Sequence, residues 1–84
     1  MITILFFARV RDEAGTDELT MPIPQGVTRI SQLTEWLRVD NEGRLAVALS
    51  VPNLLVSVNR EITHGDVAIK DGDEIAYFPP VTGG

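Results

Sequence analysis

The sequence predicts an α+β fold, a mixed sheet with a helix packed on one face. Three observations point there. Apolar-alternating segments stand at both ends of the chain, "MITILFFARV" and "EIAYFP". A strongly amphipathic helical segment lies between them, around Ile30, Leu33 and Leu37. The main elements run strand, strand, helix, strand, strand, which is neither the alternation of a doubly wound sheet nor a series of evenly spaced strands.

In the first strand, Ile2, Ile4 and Phe6 point one way and Thr3, Leu5 and Phe7 the other. "RVRDEAGTD" is too long for a tight hairpin, so Arg9 to Ala14 form a short helical turn ended by Gly15. "DELTMPIP" is a second strand with Leu19, Met21 and Ile23 on one side. Pro22 cannot donate to a ladder, which puts this strand at a sheet edge. Thr28 is the expected N-cap of the main helix, with Val27 at the staple position. Ile30, Leu33 and Leu37 form its apolar stripe, flanked by Trp36, while Gln32, Glu35 and Arg38 stay polar. Gly43 interrupts the pattern, and Leu45, Ala48 and Leu49 predict a shorter helix ended by Pro52 and Asn53.

"LLVSVNREI" returns to strand, with Leu54, Val56 and Val58 inward and Ser57 and Asn59 outward. "NRE" turns into a short continuation at Ile62, and "KDGDE" is a turn around Gly72. The last strand puts Ile75 and Tyr77 on one face and Glu74, Ala76 and Phe78 on the other, and Pro79 ends regular pairing. A β-grasp arrangement satisfies this order. The expected division is a domain over 1–78 and an extended tail over 79–84.

The 84 residues are 44% hydrophobic and 23% charged, which fits one ordered globular domain. No apolar run approaches the length needed to span a bilayer, and "MITILFFA" reads as a strand, not a signal peptide. A formal charge of −5 argues against nucleic acid and for a basic protein surface as partner. The chain has no cysteine, so thiolate metal sites and cysteine nucleophiles are excluded. That composition fits a reducing cytoplasm.

Little of the sequence is arranged for catalysis. His64 is the only histidine and lies in "THGD", which reads as a solvated turn. "DGDE" lacks the ligand pattern of a calcium loop and reads as a polar turn before a strand. No phosphate-binding glycine motif or nucleophile elbow is present, and no metal site is expected. Leu5, Phe7 and Phe78 share the outer sheet face. Either a loop or the second helix covers them, or they form an apolar docking patch.

The end of the chain, "YFPPVTGG", is more specific. Pro79-Pro80 favour an extended polyproline conformation that projects the chain end away from the body. The four residues after them span at most about 14 Å. Gly83 and Gly84 lack a Cβ, so they fit a channel too narrow for other residues. Such an end makes sense if its carboxylate is handled inside a partner's active site.

"DGDEIAYFPPVTGG", "ILFFARVRDEAG" and "LLVSVNRE" together resemble the small, sulfur-carrying subunits of molybdopterin synthase over essentially the whole chain. Tyr77 stands where phenylalanine is common in that family, and "SVPNLL" gives this chain its own loop. The resemblance implies a ubiquitin-like β-grasp fold. It further implies that Gly84 is adenylated with ATP by a separate activating enzyme and converted to a thiocarboxylate by a sulfur donor. The carrier then docks on a large synthase subunit, in a heterotetramer of two small and two large subunits. There it gives sulfur to cyclic pyranopterin monophosphate, building the molybdopterin dithiolene. The chain itself binds no cofactor in that scheme, and general acid–base groups come from the large subunit. Pro79, Pro80, Val81, Thr82 and Gly83 form the access tail. Phe7, Ile62 and Phe78 are the interface positions, Ile62 on the resemblance alone.

Three other readings share parts of this pattern. A carrier for thiazole synthesis or tRNA thiolation has the same fold and diglycine end, but lacks the "FFARVRDEAG" and "FPPVTGG" context. A ubiquitin-like modifier uses the same activated Gly84 but forms an isopeptide with partner lysines. A β-grasp binding module has an inert tail.

Overall fold

The computed structural model describes residues 1–40 and 43–80. Strand β1 (Ile2–Phe6) is followed by helix α1 (Ala8–Ala14), strand β2 (Glu18–Met21), helices α2 (Ile30–Asp40) and α3 (Arg44–Ala48), and strands β3 (Leu55–Val58), β4 (Glu61–Ile62) and β5 (Glu74–Phe78). The sheet order is β2-β1-β5-β3-β4. The first and last strands, β1 and β5, run parallel at its centre, and every other neighbouring pair is antiparallel. This is the mixed sheet the sequence predicts, with β2 at an edge. Pro22 lies just past that strand, not within it.

Alternation in β1 and β5 decides which face is buried. Ile2, Ile4, Phe6, Ile75 and Tyr77 all point to one side and are buried there. The stripe of α2, Ile30, Leu33 and Leu37, covers them, and Leu54, Val56 and Val58 pack against the same core. The two shorter helices expected from the sequence join α2 in this layer. Val10 and Ala14 of α1 and Leu45, Ala48 and Leu49 from α3 and its end complete the core. Burying a side chain of this size contributes about 1.5–3 kcal/mol, so this cluster is the main stabilising term.

Gly15 closes α1 in the left-handed conformation at φ +77°, and its N–H donates to the Arg11 carbonyl at 3.0 Å. That is the αL cap expected from the sequence. The start of α2 differs from expectation. The Thr28 hydroxyl donates to Gln32 Oε1 at 3.1 Å and does not cap the helix. Gln32 instead reaches back to accept the N–H groups of Thr28 and Arg29, at 2.7 and 3.1 Å. The capping acceptor comes from far along the chain: Asp66 takes the Ser31 N–H at 2.8 Å and the Ser31 hydroxyl at 2.7 Å. Those two hydrogen bonds hold the Asp66 carboxyl below the usual carboxylate range, with Arg29 at 3.4 Å adding to the effect. A charged acceptor at this helix end is favoured by the helix dipole as well. Tertiary structure has supplied the cap that local sequence pointed to at Thr28.

A buried carboxylate organises the opposite end of the sheet. Asp73 accepts from the Lys70 N–H at 2.8 Å, from Asn59 Nδ2 at 3.0 Å and from Lys70 Nζ at 3.0 Å. Burial pushes its carboxyl up, but the hydrogen bonds from Asn59 and Lys70 outweigh that and leave it below the usual range. Asn59 also takes the Glu74 N–H at 3.0 Å, so the β3–β4 hairpin is stitched to the start of β5.

Candidate functional site: the outer sheet face and the strand that leads to the tail

The outer face of the sheet follows from register. Leu5 of β1 is level with Ala76 of β5, Ala76 with Ser57 of β3, and Ser57 with Ile62 of β4. In the next row, Phe78 pairs with Leu55. Phe7 follows Phe6, whose partner is Tyr77, and remains extended at φ −122° and ψ 151°. Its N–H donates to the Tyr77 carbonyl at 3.1 Å. Phe7 therefore falls level with Phe78, one strand spacing of about 4.8 Å away. The two rows put Leu5, Phe7, Leu55, Ile62 and Phe78 around a floor made by the small residues Ala76 and Ser57.

No helix lies on this face: the described helices pack with the buried core on the other side. The two open readings of Leu5, Phe7 and Phe78 therefore resolve toward an uncovered apolar surface. Phe7 is 46% exposed and Ile62 50%, high values for large apolar side chains. Phe78, Leu5 and Leu55 are half-buried by their neighbours. The predicted interface positions Phe7, Ile62 and Phe78 are thus brought onto one face. Ile62 reaches it through its pairing with Ser57, which supplies the geometric reason its placement lacked. Leu55 was missed, although the alternation of "LLVSV" puts it on the same side as Ser57.

The backbone around Phe7 is held on both sides. Its carbonyl accepts the N–H groups of Val10 and Arg11 at 3.1 and 3.3 Å, closing the first turn of α1. The chain bends at Ala8, whose φ of +52° is unusual for a residue with a Cβ. The side chain of Phe7 is therefore presented from a fixed corner between strand and helix.

Tyr77 precedes the outward Phe78 and faces the core. Its ring is fully buried and stacks on Phe6 with centroids 6.1 Å apart. Its oxygen lies 2.8 Å from Thr34 Oγ1. The Thr34 hydroxyl donates to the Ile30 carbonyl at 2.9 Å, so its single hydrogen is used and Tyr77 is the donor to Thr34. Burial pushes the Tyr77 phenol up to about 12. The last strand before the tail is thereby tied to the middle of α2.

Pro79 and Pro80 continue from β5 and are half-buried, so the chain leaves the strand against the body of the domain. Val81, Thr82, Gly83 and Gly84 lie outside the described residues. His64 is exposed in the segment after β4, as expected of a turn residue. Among the described residues, no group of three or more histidines and carboxylates could hold a metal ion. No helix among them is long and apolar enough to cross a membrane. On the helical side, a groove of about 440 Å³ runs along Val27, Trp36 and Val39, and a second of about 370 Å³ lies between Trp36 and Met21. Both are apolar and carry no paired acid and base.

A diglycine end beyond a β-grasp sheet agrees with what known proteins show. The ThiS family profile matches residues 4–84. The chain belongs to the ThiS family. Among curated ThiS-like relatives, the "Molybdopterin synthase sulfur carrier subunit" of Escherichia coli (strain K12) is 41% identical over 86 aligned residues, covering 100% of both chains. The fold is shared with solved structures. The "Putative molybdopterin converting factor, subunit 1" of Pyrococcus furiosus superposes with a TM-score of 0.75 at 27% identity, covering 95% of this chain and 97% of that one. A chain in the "Protein-protein complex of subunit 1 and 2 of Molybdopterin-converting factor" of Helicobacter pylori 26695 gives 0.68 at 21% identity, over 99% and 97%. The match to the family extends through the residues of the tail.

Proposed function

We propose that this chain is the sulfur carrier subunit of a molybdopterin synthase. The observation that carries the reading is the full-length similarity to a carrier of that name, diglycine end included. The uncovered apolar face beside the last strand supports it. A carrier must dock and thread its end into a partner in one movement, and here the docking face and the tail share β5.

The chemistry follows from the end group. A carboxylate resists nucleophilic attack because its charge is delocalised. The Gly84 carboxylate attacks the α-phosphorus of ATP on an activating enzyme, pyrophosphate leaves, and the acyl-adenylate has AMP as a good leaving group. Sulfide released by a sulfur donor protein then attacks the acyl carbon, a C–S bond forms as AMP leaves, and the end group becomes the thiocarboxylate. With no cysteine in the chain, Gly84 is where the sulfur rides. The thiocarboxylate is a soft, exposed nucleophile, and the tail of Pro79, Pro80, Val81, Thr82 and Gly83 delivers it. Phe7, Ile62 and Phe78 dock on a large subunit, which binds the pterin and supplies the acid and base. Cyclic pyranopterin monophosphate takes up two sulfurs to form the dithiolene, so the carrier is recharged or exchanged between transfers. The assembly is a heterotetramer of two small and two large subunits, and the chain works in the cytoplasm.

The reading is tested by mixing the thiocarboxylate form with a large subunit and cyclic pyranopterin monophosphate. Dithiolene should form in proportion to carrier consumed, and the carboxylate form should give none. Product from the carboxylate form, or none from the thiocarboxylate, overturns it.

A further inference from the structure

One row of the outer face crosses the whole sheet. Glu18 of β2 is level with Leu5, Leu5 with Ala76, Ala76 with Ser57 and Ser57 with Ile62. The row therefore reads carboxylate, apolar, apolar, hydroxyl, apolar. The neighbouring row of Phe7, Phe78 and Leu55 is apolar throughout. An apolar docking patch explains every position of the two rows except Glu18 and Ser57.

Ser57 is only 7% exposed, although no helix covers this face. Its hydroxyl makes no hydrogen bond among the described residues, whereas Thr63 nearby donates to the Val56 carbonyl at 3.2 Å. The Ser57 oxygen keeps a little access to solvent, so water can serve it while the face is open. A surface laid over Leu55, Ile62 and Phe78 would close that access. An enclosed hydroxyl then costs free energy unless the covering surface supplies a donor or an acceptor.

Glu18 stands at the rim. The Phe6 N–H donates to the Asp17 carbonyl at 3.0 Å, which makes Leu5 and Glu18 the close, non-hydrogen-bonded pair with adjacent side chains. Glu18 is exposed, and its carboxylate has no ion-pair partner among the described residues. Glu74, on the same face, is met by Arg60 at 3.7 Å. Glu18 is thus a charge left uncompensated beside the apolar patch. It lies three strand spacings from Ser57, about 14 Å.

We infer, taking this face as the one that docks on a large subunit, that its occupant is a protein surface of matching pattern. That surface is apolar over Phe7, Leu55 and Phe78, with a hydrogen-bonding group over Ser57 and a cationic side chain over Glu18. Apolar contact supplies affinity but is non-directional. Two polar points well separated along one row fix the rotation of the partner on the sheet. Ser57 and Glu18 are therefore specificity-determining residues of the docking face.

The full chain is titrated calorimetrically into purified large subunit at about 0.02 M and about 0.5 M salt. Ser57→Ala should weaken binding about fivefold at both. It should unfold in urea at the wild-type midpoint, because the free chain uses no bond from that hydroxyl. Glu18→Gln should weaken binding about fivefold at low salt and less than about twofold at high salt. Glu35→Gln removes the same charge from the helical side and should change neither value. Wild-type or tighter binding by Ser57→Ala, a lowered midpoint in that variant, or equal effects of the two Glu→Gln changes overturns the inference. Phe78→Arg tells this failure from that of the docking itself. If it weakens binding while the other variants do not, the polar pattern alone fails. If it binds like wild type, the face does not dock and both readings fall.

Discussion

The Tyr77 hydroxyl donates to Thr34 Oγ1 at 2.8 Å, joining the last strand to the middle of the main helix. Thr34 passes the chain on to the Ile30 carbonyl. The pair makes an asymmetric prediction. Tyr77→Phe removes a donor and leaves Thr34 its bond to Ile30, so it should cost about 1 kcal/mol. Thr34→Val leaves a buried phenol with no acceptor and should cost more, about 1–3 kcal/mol. Urea unfolding of both variants and of the double variant measures the difference. Equal costs would show that the phenol finds another acceptor.

The same residue sets the alkaline limit. Burial pushes the folded phenol up to about 12, above the ordinary value of 10.0. The unfolded chain therefore loses this proton first as pH rises, and ionisation favours unfolding. The contribution is fully present below pH 10.0 and is lost as pH rises toward about 12. Stability measured across that window should fall in wild type and fall less steeply in Tyr77→Phe.

The acid limit involves Asp73. Its folded carboxyl lies below the usual range, so its stabilisation is present above the unfolded value and is lost as pH falls through the folded one. Asp73→Ala frees Asn59 and the Lys70 N–H and should cost about 1–3 kcal/mol at neutral pH. Its stability should also depend less on pH below about 4 than that of wild type. Chemical unfolding between neutral pH and about pH 3 measures both effects.

Much of this architecture was legible in the sequence because burial follows alternation. Ile2, Ile4 and Phe6 in β1, and Ile75 and Tyr77 in β5, needed only a period of two. The stripe of α2 and the cap at Gly15 were equally local. What failed was long-range. Asp66 caps α2 across 35 residues, so nothing near Thr28 could announce it. Ile62 gained its place only through cross-strand pairing with Ser57. The outer face could be recognised as uncovered only once all three described helices were found on the other side. The tail rests on backbone chemistry alone: Pro79-Pro80 stiffen the chain and Gly83-Gly84 leave it free, a contrast read without any fold.

Docking should be confined to that outer face. Phe78→Arg puts a charge into an apolar contact and should weaken binding to a large subunit by about 30-fold or more, equivalent to about 2 kcal/mol. Val39→Arg, at a residue 73% exposed on the helical side, should leave affinity unchanged. Calorimetric titration of both variants separates the faces; equal affinities would move the interface elsewhere.

The central claim, that Gly84 carries the sulfur, is tested most directly by the intact mass of the chain isolated from cells making molybdenum cofactor. Exchange of one oxygen for sulfur should add about 16 Da, mapped to the C-terminal peptide, and deletion of Gly84 should remove the heavier species while leaving the fold intact. A chain that carries only the carboxylate mass under those conditions, or that sustains full cofactor synthesis without Gly84, would contradict the account.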